Sequence, residues 1–287
     1  MANSLDAEQQ PKGNIMLSVN SNIPALFAAN ALNDISNRIQ DLTTHIAAGK
    51  RILTAADDPA GMGQLSLLKA QYSSFNAVTK NLTAGQNLLS TAASSLSAQQ
   101  GIMTKMKDLA TQASSDLLSA NDRTALQASF TQLQNQLNDT VNKASLFGQN
   151  LTSSTAANVN IQSGINAGDT TTINAAKSDA TTLGIGATID LSTSVKAAAA
   201  MTAIDTAVGT VSTNQATIGA QQNLLKDAAS YISTVSANTK SAISNIEDLN
   251  VAEASSQLTL LQTQQQLATS VLGIINQLPA YALSLIK

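Results

Sequence analysis

The residues able to do chemistry are few and scattered. His45 is the only histidine and stands between Leu42 and Ile46 in a stretch of helical periodicity. No Ser-His-Asp triad, two- or three-histidine zinc site or His-Glu-x-x-His peptidase motif can be assembled around it, and alone it reads as an ordinary helix residue. The one concentrated acidic spot is Asp57-Asp58-Pro59-Ala60-Gly61. Two adjacent carboxylates can touch a cation, yet Asp before Pro and Gly is first a turn and helix-start signal. Gly184-Ile185-Gly186 lacks the third glycine and the strand-to-helix setting of a dinucleotide loop, and no Gly-Lys-Ser/Thr phosphate loop occurs. There is no cysteine, hence no thiolate nucleophile, thiolate metal site or disulfide. Asn81, Asn138 and Asn150 open sequons, but two lie in helical stretches and such matches arise by chance. The groups needed for acid-base or nucleophilic work are not gathered, so we expect no enzyme and no cofactor.

What the elements must position is instead a set of apolar seams. Leu32, Ile35, Ile39, Leu42 and Ile46 follow the 3-4-3-4 spacing of a coiled coil. Leu82, Leu89, Leu96, Met103 and Ala110 recur every seven residues, with Gly85, Ala92, Gln99, Met106 and Ala113 as the companion row. Leu126, Phe130, Leu133, Leu137 and Val141 form a third stripe, preceded by the polar caps of Ser119-Ala120-Asn121-Asp122, so two helices meet at a turn near 115 to 121. The longest repeat runs from Ile204 to Asn250 and, as one helix, spans about 70 Å. A globule of this length has a diameter of roughly 50 Å, so the spacing predicts a mainly α, elongated bundle of long coiled-coil helices. A last stripe, Leu258, Leu261, Gln265, Ala268, Leu272, Ile275, Ala282 and Leu285, carries the heptad almost to Lys287, with Pro279 bending its final turn.

Composition agrees with a chain built for contact. Only 11% of residues are charged and 2% aromatic, against about 25% charged in ordinary soluble proteins. Mean hydropathy is +0.03, so the missing charge is replaced by small neutral residues rather than by apolar bulk. Covering such a surface with protein avoids the desolvation cost of an unpaired Lys or Glu. With a net charge of -3 and no basic run, a nucleic-acid partner has no support. No segment reaches 18 apolar residues, so no membrane insertion is expected. Met1 to Gln10 is polar rather than a positive stretch followed by an apolar one, unlike a cleaved secretory signal.

Chain ends usually fray, but both ends here carry regular apolar residues, including Leu17, Val19, Ile23, Leu26 and Phe27. They can bury these only against each other or against neighbouring copies, and in a free monomer we expect them to be poorly ordered. Between about 150 and 196 the helix period stops. Val159-Asn160-Ile161 and Thr170 to Ile173 flank the glycine-bearing link Gly164 to Gly168 and read as a β-hairpin, with a further strand at Ala187 to Leu191. Residues 1–15 form a polar leader, with Met16 a candidate start.

Several strings are similar to bacterial flagellin. Ser18 to Asn22, Ile46 to Ile52 and Ala56 to Gly61 resemble the family's start and the link between its terminal helix and rod. Ser145 to Asn150 resembles the turn into its β-hairpin, Ile161 to Gly168 the hairpin itself, Ile218 to Asn223 the long C-terminal helix and Ile246 to Asp248 its end. Gln265-Gln266, Thr269 to Leu272 and Leu283 to Lys287 close the likeness, which covers roughly 16 to 173 and 200 to 287. The leader is unlike the family's abrupt start, and the variable outer domain is cut to the short stretch between the matched regions.

The resemblance implies a secreted, extracellular structural subunit that polymerises into the flagellar filament for motility, exported unfolded by a type III route. Its expected partners are copies of itself, the flagellar cap and hook-junction proteins, and an export chaperone on the C-terminal region. It implies filament-core segments at 16–56 and 251–287, rod segments at 57–150 and 197–250, and a β-hairpin with reduced outer segment at 151–196. The filament-core helix interface would use Leu32, Ile35, Ile39, Leu42, Ile46, Leu258, Leu261, Leu272, Ile275 and Leu285. The stretch read by an innate immune receptor corresponds to Lys105 to Gln112, with Lys105, Leu109 and Gln112 as its contacts. Lysines stand there for arginines and Asp108 for Glu, which weakens bidentate pairing. Rival readings are a hook-filament junction protein and a secreted coiled-coil surface or effector protein.

Overall fold

The computed structural model describes residues 22–285, and their side chains through Gln277. Five helices, α1 (Ile23–Ala48), α2 (Pro59–Ala113), α3 (Ala120–Lys143), α4 (Ser194–Glu247) and α5 (Val251–Leu285), carry most of the chain. Two antiparallel hairpins, β1 (Ser145–Leu146) with β2 (Gln149–Asn150) and β3 (Val159–Gln162) with β4 (Thr170–Ile173), lie between α3 and α4. The chain divides into two compact units, one of residues 1–65 with 243–287 and the other of residues 66–242.

In the first unit α1 packs against α5. Asn22 starts α1 by accepting the Ala25 amide at 3.2 Å, with a proline in the first turn. Gly49, at φ +67°, ends it in the left-handed conformation, donating its amide to the Ile46 carbonyl. Asp58 starts α2: its carboxylate accepts the Gly61 amide at 2.8 Å and its carbonyl the Met62 amide at 2.9 Å. The Asp-Pro-Ala-Gly string is thus a helix cap followed by proline.

The core of the second unit is the seam read in the sequence. Leu82, Leu89, Leu96, Met103 and Ala110 are all fully buried, as are Gln99, Met106 and Ala113 of the companion row. They meet Phe130, Leu137 and Val141 of α3 and Ile204, Val211, Ile218 and Leu225 of α4 in one cluster. Gly85 lets the hairpin close on α2, since a Cβ there would sit 3.0 Å from Leu225 Cδ1 and 3.3 Å from Ile161 Cγ1. The turn between α2 and α3 is fixed by a reciprocal Ser119–Asp122 capping box. Arg123, buried, donates from its two terminal nitrogens to the Ala113 and Ser115 carbonyls, where α2 would otherwise leave acceptors unpaired.

The hairpin expected over 159–173 forms, with Val159 opposite Ile173 and Gln162 opposite Thr170. The strand expected at Ala187 to Leu191 does not. Its backbone is served by glutamines of α3 instead of a partner strand: Gln127 accepts the Leu191 amide at 2.7 Å and donates to the Ile189 carbonyl at 3.3 Å. Just before it, Gln134 donates to the carbonyls of Ile185 and Gly186 at 2.9 and 2.7 Å. Side-chain amides carry the same donor and acceptor as a peptide group, so this wrap stays irregular at no loss of hydrogen bonds. The helix expected to run from Ile204 to Asn250 ends at Glu247, and α5 begins at Val251.

Candidate assembly interface

The terminal pair α1 and α5 presents two kinds of face. Leu32, Ile35, Ile39, Leu42 and Ile46 on α1 are half-buried, and so are Leu258, Gln265, Ala268, Leu272 and Ile275 on α5, with Leu261 buried. α1 and α5 pack against each other, and these are the less exposed positions of the two helices. Polar links join the two: Gln265 Nε2 donates to Ser36 Oγ at 3.1 Å, and Asn22 Nδ2 to the Ile275 carbonyl at 3.3 Å. Leu285 lies beyond the residues whose side chains are described, and Leu17 and Val19 lie outside the described residues.

A second face is left uncovered among the described residues. Leu260, Leu267, Val271 and Ile274 follow a 7-4-3 spacing on α5, and Ile23, Leu26 and Phe27 stand together in the first turns of α1; all seven are 48% to 71% exposed. At 100° per residue the exposed row on α5 lies roughly a third of a turn around from the seam. A lone exposed leucine needs no explanation, but a heptad row of them forms a contiguous apolar patch. Leu260, Leu267, Val271 and Ile274 carry a spacing of their own in the sequence, beside the stronger stripe from Leu258 to Leu285.

Polar residues beside this row are unusually cheap to cover. Thr259, Thr263 and Ser270 each donate their hydroxyl to the carbonyl four residues back, at 2.9 to 3.0 Å. Donors already satisfied by their own helix lose little when water leaves. The abundance of Ser and Thr thus has a consequence for contact: it supplies a wet surface that does not resist drying.

The chain links of the same unit are clasped. Lys50 pairs with Asp248 in an isolated antiparallel bridge, with the Arg51 amide donating to the Glu247 carbonyl at 2.6 Å and the Leu249 amide to Gly49 at 3.1 Å. The Lys50 ammonium meets the nearly buried Glu247 carboxylate at 2.6 Å. His45 is part of this link. Its Nδ1 lies 3.0 Å from the Lys50 carbonyl, which only accepts, so Nδ1 carries the proton, and Nε2 lies 3.8 Å from Asp57 Oδ1. The Asp57 carboxylate accepts the amides of Leu53 and Thr54 at 2.9 and 2.8 Å. Those backbone bonds, at Thr54 first and then Leu53, hold it below the usual Asp value, with His45 a smaller contributor. Histidine and carboxylates here shape a turn.

Among the described residues no group of three or more His, Cys, Asp or Glu is placed to hold a metal, and no helix is long and apolar enough to cross a membrane. The stretch likened to a receptor site lies on α2 in the second unit. Lys105 and Gln112 are exposed there and Leu109 is half-buried, while Lys107 between them is held by Asp205 at 2.5 Å.

Comparison with known proteins gives the same picture at the level of family. The bacterial flagellin N-terminal helical region matches residues 19–157, and the bacterial flagellin C-terminal helical region matches residues 201–286. The chain is 30% identical to a flagellin of Listeria monocytogenes, covering 94% of this chain and 100% of that one. It is 27% identical to a flagellin of Halalkalibacterium halodurans, covering 94% and 99%. A solved protein of Vibrio parahaemolyticus assigned to the flagellar hook-associated class is 16% identical with a TM-score of 0.56, over 67% of this chain and 100% of that one, a likeness of fold alone. With both terminal helical regions matched and whole flagellins aligned along nearly its full length, the chain belongs to the bacterial flagellin family.

Proposed function

We propose that the uncovered apolar faces of α1 and α5 are the surfaces through which this structural subunit of the flagellar filament stacks on copies of itself. The observation that carries this reading is the exposed row Leu260, Leu267, Val271 and Ile274 on a helix whose neighbouring stripe is already taken by α1. A second copy supplies a matching apolar face, and burying these rows is favourable by roughly 25 cal/mol per Å². The intramolecular seam, Leu32 to Ile46 with Leu258 to Ile275, brings the two helices side by side, and contact with neighbouring copies orders the pair.

The other partners follow from the same chemistry. A chain carrying such a row must be kept from premature contact, which gives an export chaperone its place on the C-terminal region. The cap and hook-junction proteins would meet the rows left open at the two ends of the polymer. A chain without cysteine passes a narrow unfolded export route of the type III kind with no thiol to cross-link, and its working location is the extracellular filament. Recognition by an innate immune receptor at Lys105, Leu109 and Gln112 would rest on single-point lysine charges and be weak.

The test is direct. Purified protein seeded with sheared filaments should grow long filaments visible by negative stain. Brief subtilisin treatment should trim residues before about 50 and after about 250 in the monomer and leave the filament intact. Soluble monomers under every seeding condition, or equal protection in both states, would defeat this reading.

A further inference from the structure

Phe147 and Gly148 form the two-residue loop between β1 and β2, with φ of +53° and +75°. A loop with both central residues in the left-handed region calls for glycine or a short polar side chain, and Asn-Gly is its favoured filling. Phe147 is the only non-glycine residue with positive φ among the described residues, and its ring is 71% exposed. The fold thus accepts backbone strain to hold a phenyl ring in water, which stabilises nothing in the unit that carries it. Such an outlier points to contact with something else.

The opposite end of α3 offers a place for the ring. A cavity of about 520 Å³ opens there, lined by Gln112, Ser115, Leu118, Asp122, Ala125 and Leu126. Leu117 beside it is 97% exposed. The 24 residues of α3 separate the two features by about 36 Å, and both belong to the unit of residues 66–242. A convex group at one end of a helix and a concave site at the other form a heterologous pair, which joins copies into an open series rather than a closed dimer.

Charged groups able to pair stand at both places. Lys143 stands one turn before the ring, engaged only in an exposed contact with Asp139 at 3.2 Å, which is readily exchanged. Asp116 and Asp122 flank the cavity, while neighbouring Arg123 is buried and spends its donors on the carbonyls of Ala113 and Ser115. The outer surface at the cavity is therefore acidic, and beside the ring Lys143 can exchange Asp139 for a carboxylate of another copy.

We propose that Phe147 of one copy seats in the cavity between Leu118 and Leu126 of the next, with Lys143 facing Asp116, as a knob-and-socket contact between copies. The contact rests on the reading that the chain polymerises. It adds a second contact, carried by the unit of residues 66–242, to the one on α1 and α5.

The absence of native cysteine makes a direct test available. Chains carrying Phe147→Cys and chains carrying Leu118→Cys are co-assembled with unsubstituted protein on unsubstituted seeds and then oxidised. A disulfide-linked dimer containing one of each should form in filaments and not in the mixed monomers. A second variant, Phe147→Asn, separates contact from folding. It relieves the strained loop, so the monomer should melt at a higher temperature, while the critical concentration for filament growth rises about tenfold or more. A purely structural ring would move both readouts together. Filaments that form without the mixed dimer, or Phe147→Asn filaments with an unchanged critical concentration, would overturn the knob and socket while leaving the polymer intact. No filaments from unsubstituted protein would instead overturn the polymer itself.

Discussion

At the scale of single residues, hydrogen-bonding capacity rather than charge decides the outcome. Arg123 is buried, and its guanidinium fork spans the carbonyls of Ala113 and Ser115 at the end of α2. Arg123→Met keeps the apolar stem but strands both acceptors. It should cost about 2–3 kcal/mol in urea unfolding, and Arg123→Lys most of that, because an ammonium cannot bridge two carbonyls as a planar fork does. Asp190 shows the opposite regime, an exposed group with strong local partners. The Lys196 ammonium 2.5 Å away, and then the amide and hydroxyl of Ser192, hold its carboxyl at about 2, below the ordinary 3.8. A depressed carboxylate stabilises the fold above the ordinary value, and that contribution is lost as pH falls from about 4 through about 2. Carboxyl titration by NMR should find Asp190 near 2, and Lys196→Met should raise it. An unmoved titration would show that Ser192 alone sets the value. The Ser119–Asp122 box could be read from the sequence because its residues are three apart. The role of Arg123 could not, since its acceptors lie on another helix and leave no spacing to find.

At the scale of elements, seams decide which helix faces touch, and the polar interruptions in them ask for a reason. Gln99 occupies a companion heptad position, is fully buried and donates to Ser95 Oγ at 3.1 Å, but its carbonyl oxygen has no partner. A buried unpaired carbonyl costs about 1–3 kcal/mol. Gln99→Met should therefore raise the stability of the folded chain by about 1–2 kcal/mol in denaturant titration; a loss of stability would mean that an ordered water completes the amide. The heptads of α2 and the hairpin over 159–173 were legible because period 7 and period 2 are properties of adjacent sequence. The wrap at 187–191 was not, because alternation there reflects burial on one side while its backbone partner, Gln127, lies 62 to 64 residues away on α3. The end of α4 at Glu247 was missed for a similar reason: the stripe runs on through Asn250, and the break is held by pairing with Lys50 and Arg51 from the other end of the chain.

At the scale of the whole molecule, what matters is the apolar surface left over after each unit has folded. Both units keep apolar side chains outside: the α5 row and the first turns of α1 in one, and Phe147 and Leu117, at opposite ends of α3, in the other. The surface between such features is poor in charge, and its hydroxyls are satisfied by their own helices, so covering it costs little. The family could be read from strings at both ends of the sequence because they are local. The outer row on α5 was overlooked because the stripe beside it, which binds α1, explained the helix sufficiently. That row is where the central claim is most exposed to test. Substituting Leu267→Asn and Ile274→Asn together touches only exposed positions, so circular dichroism and unfolding of the monomer should remain within about 0.5 kcal/mol of the unsubstituted protein. The decisive measurement is the critical concentration for growth on sheared filament seeds, followed by sedimentation. The account predicts a rise of at least about a hundredfold, as expected for losing two central apolar anchors from each contact. Growth of the double variant at the unsubstituted concentration would contradict it.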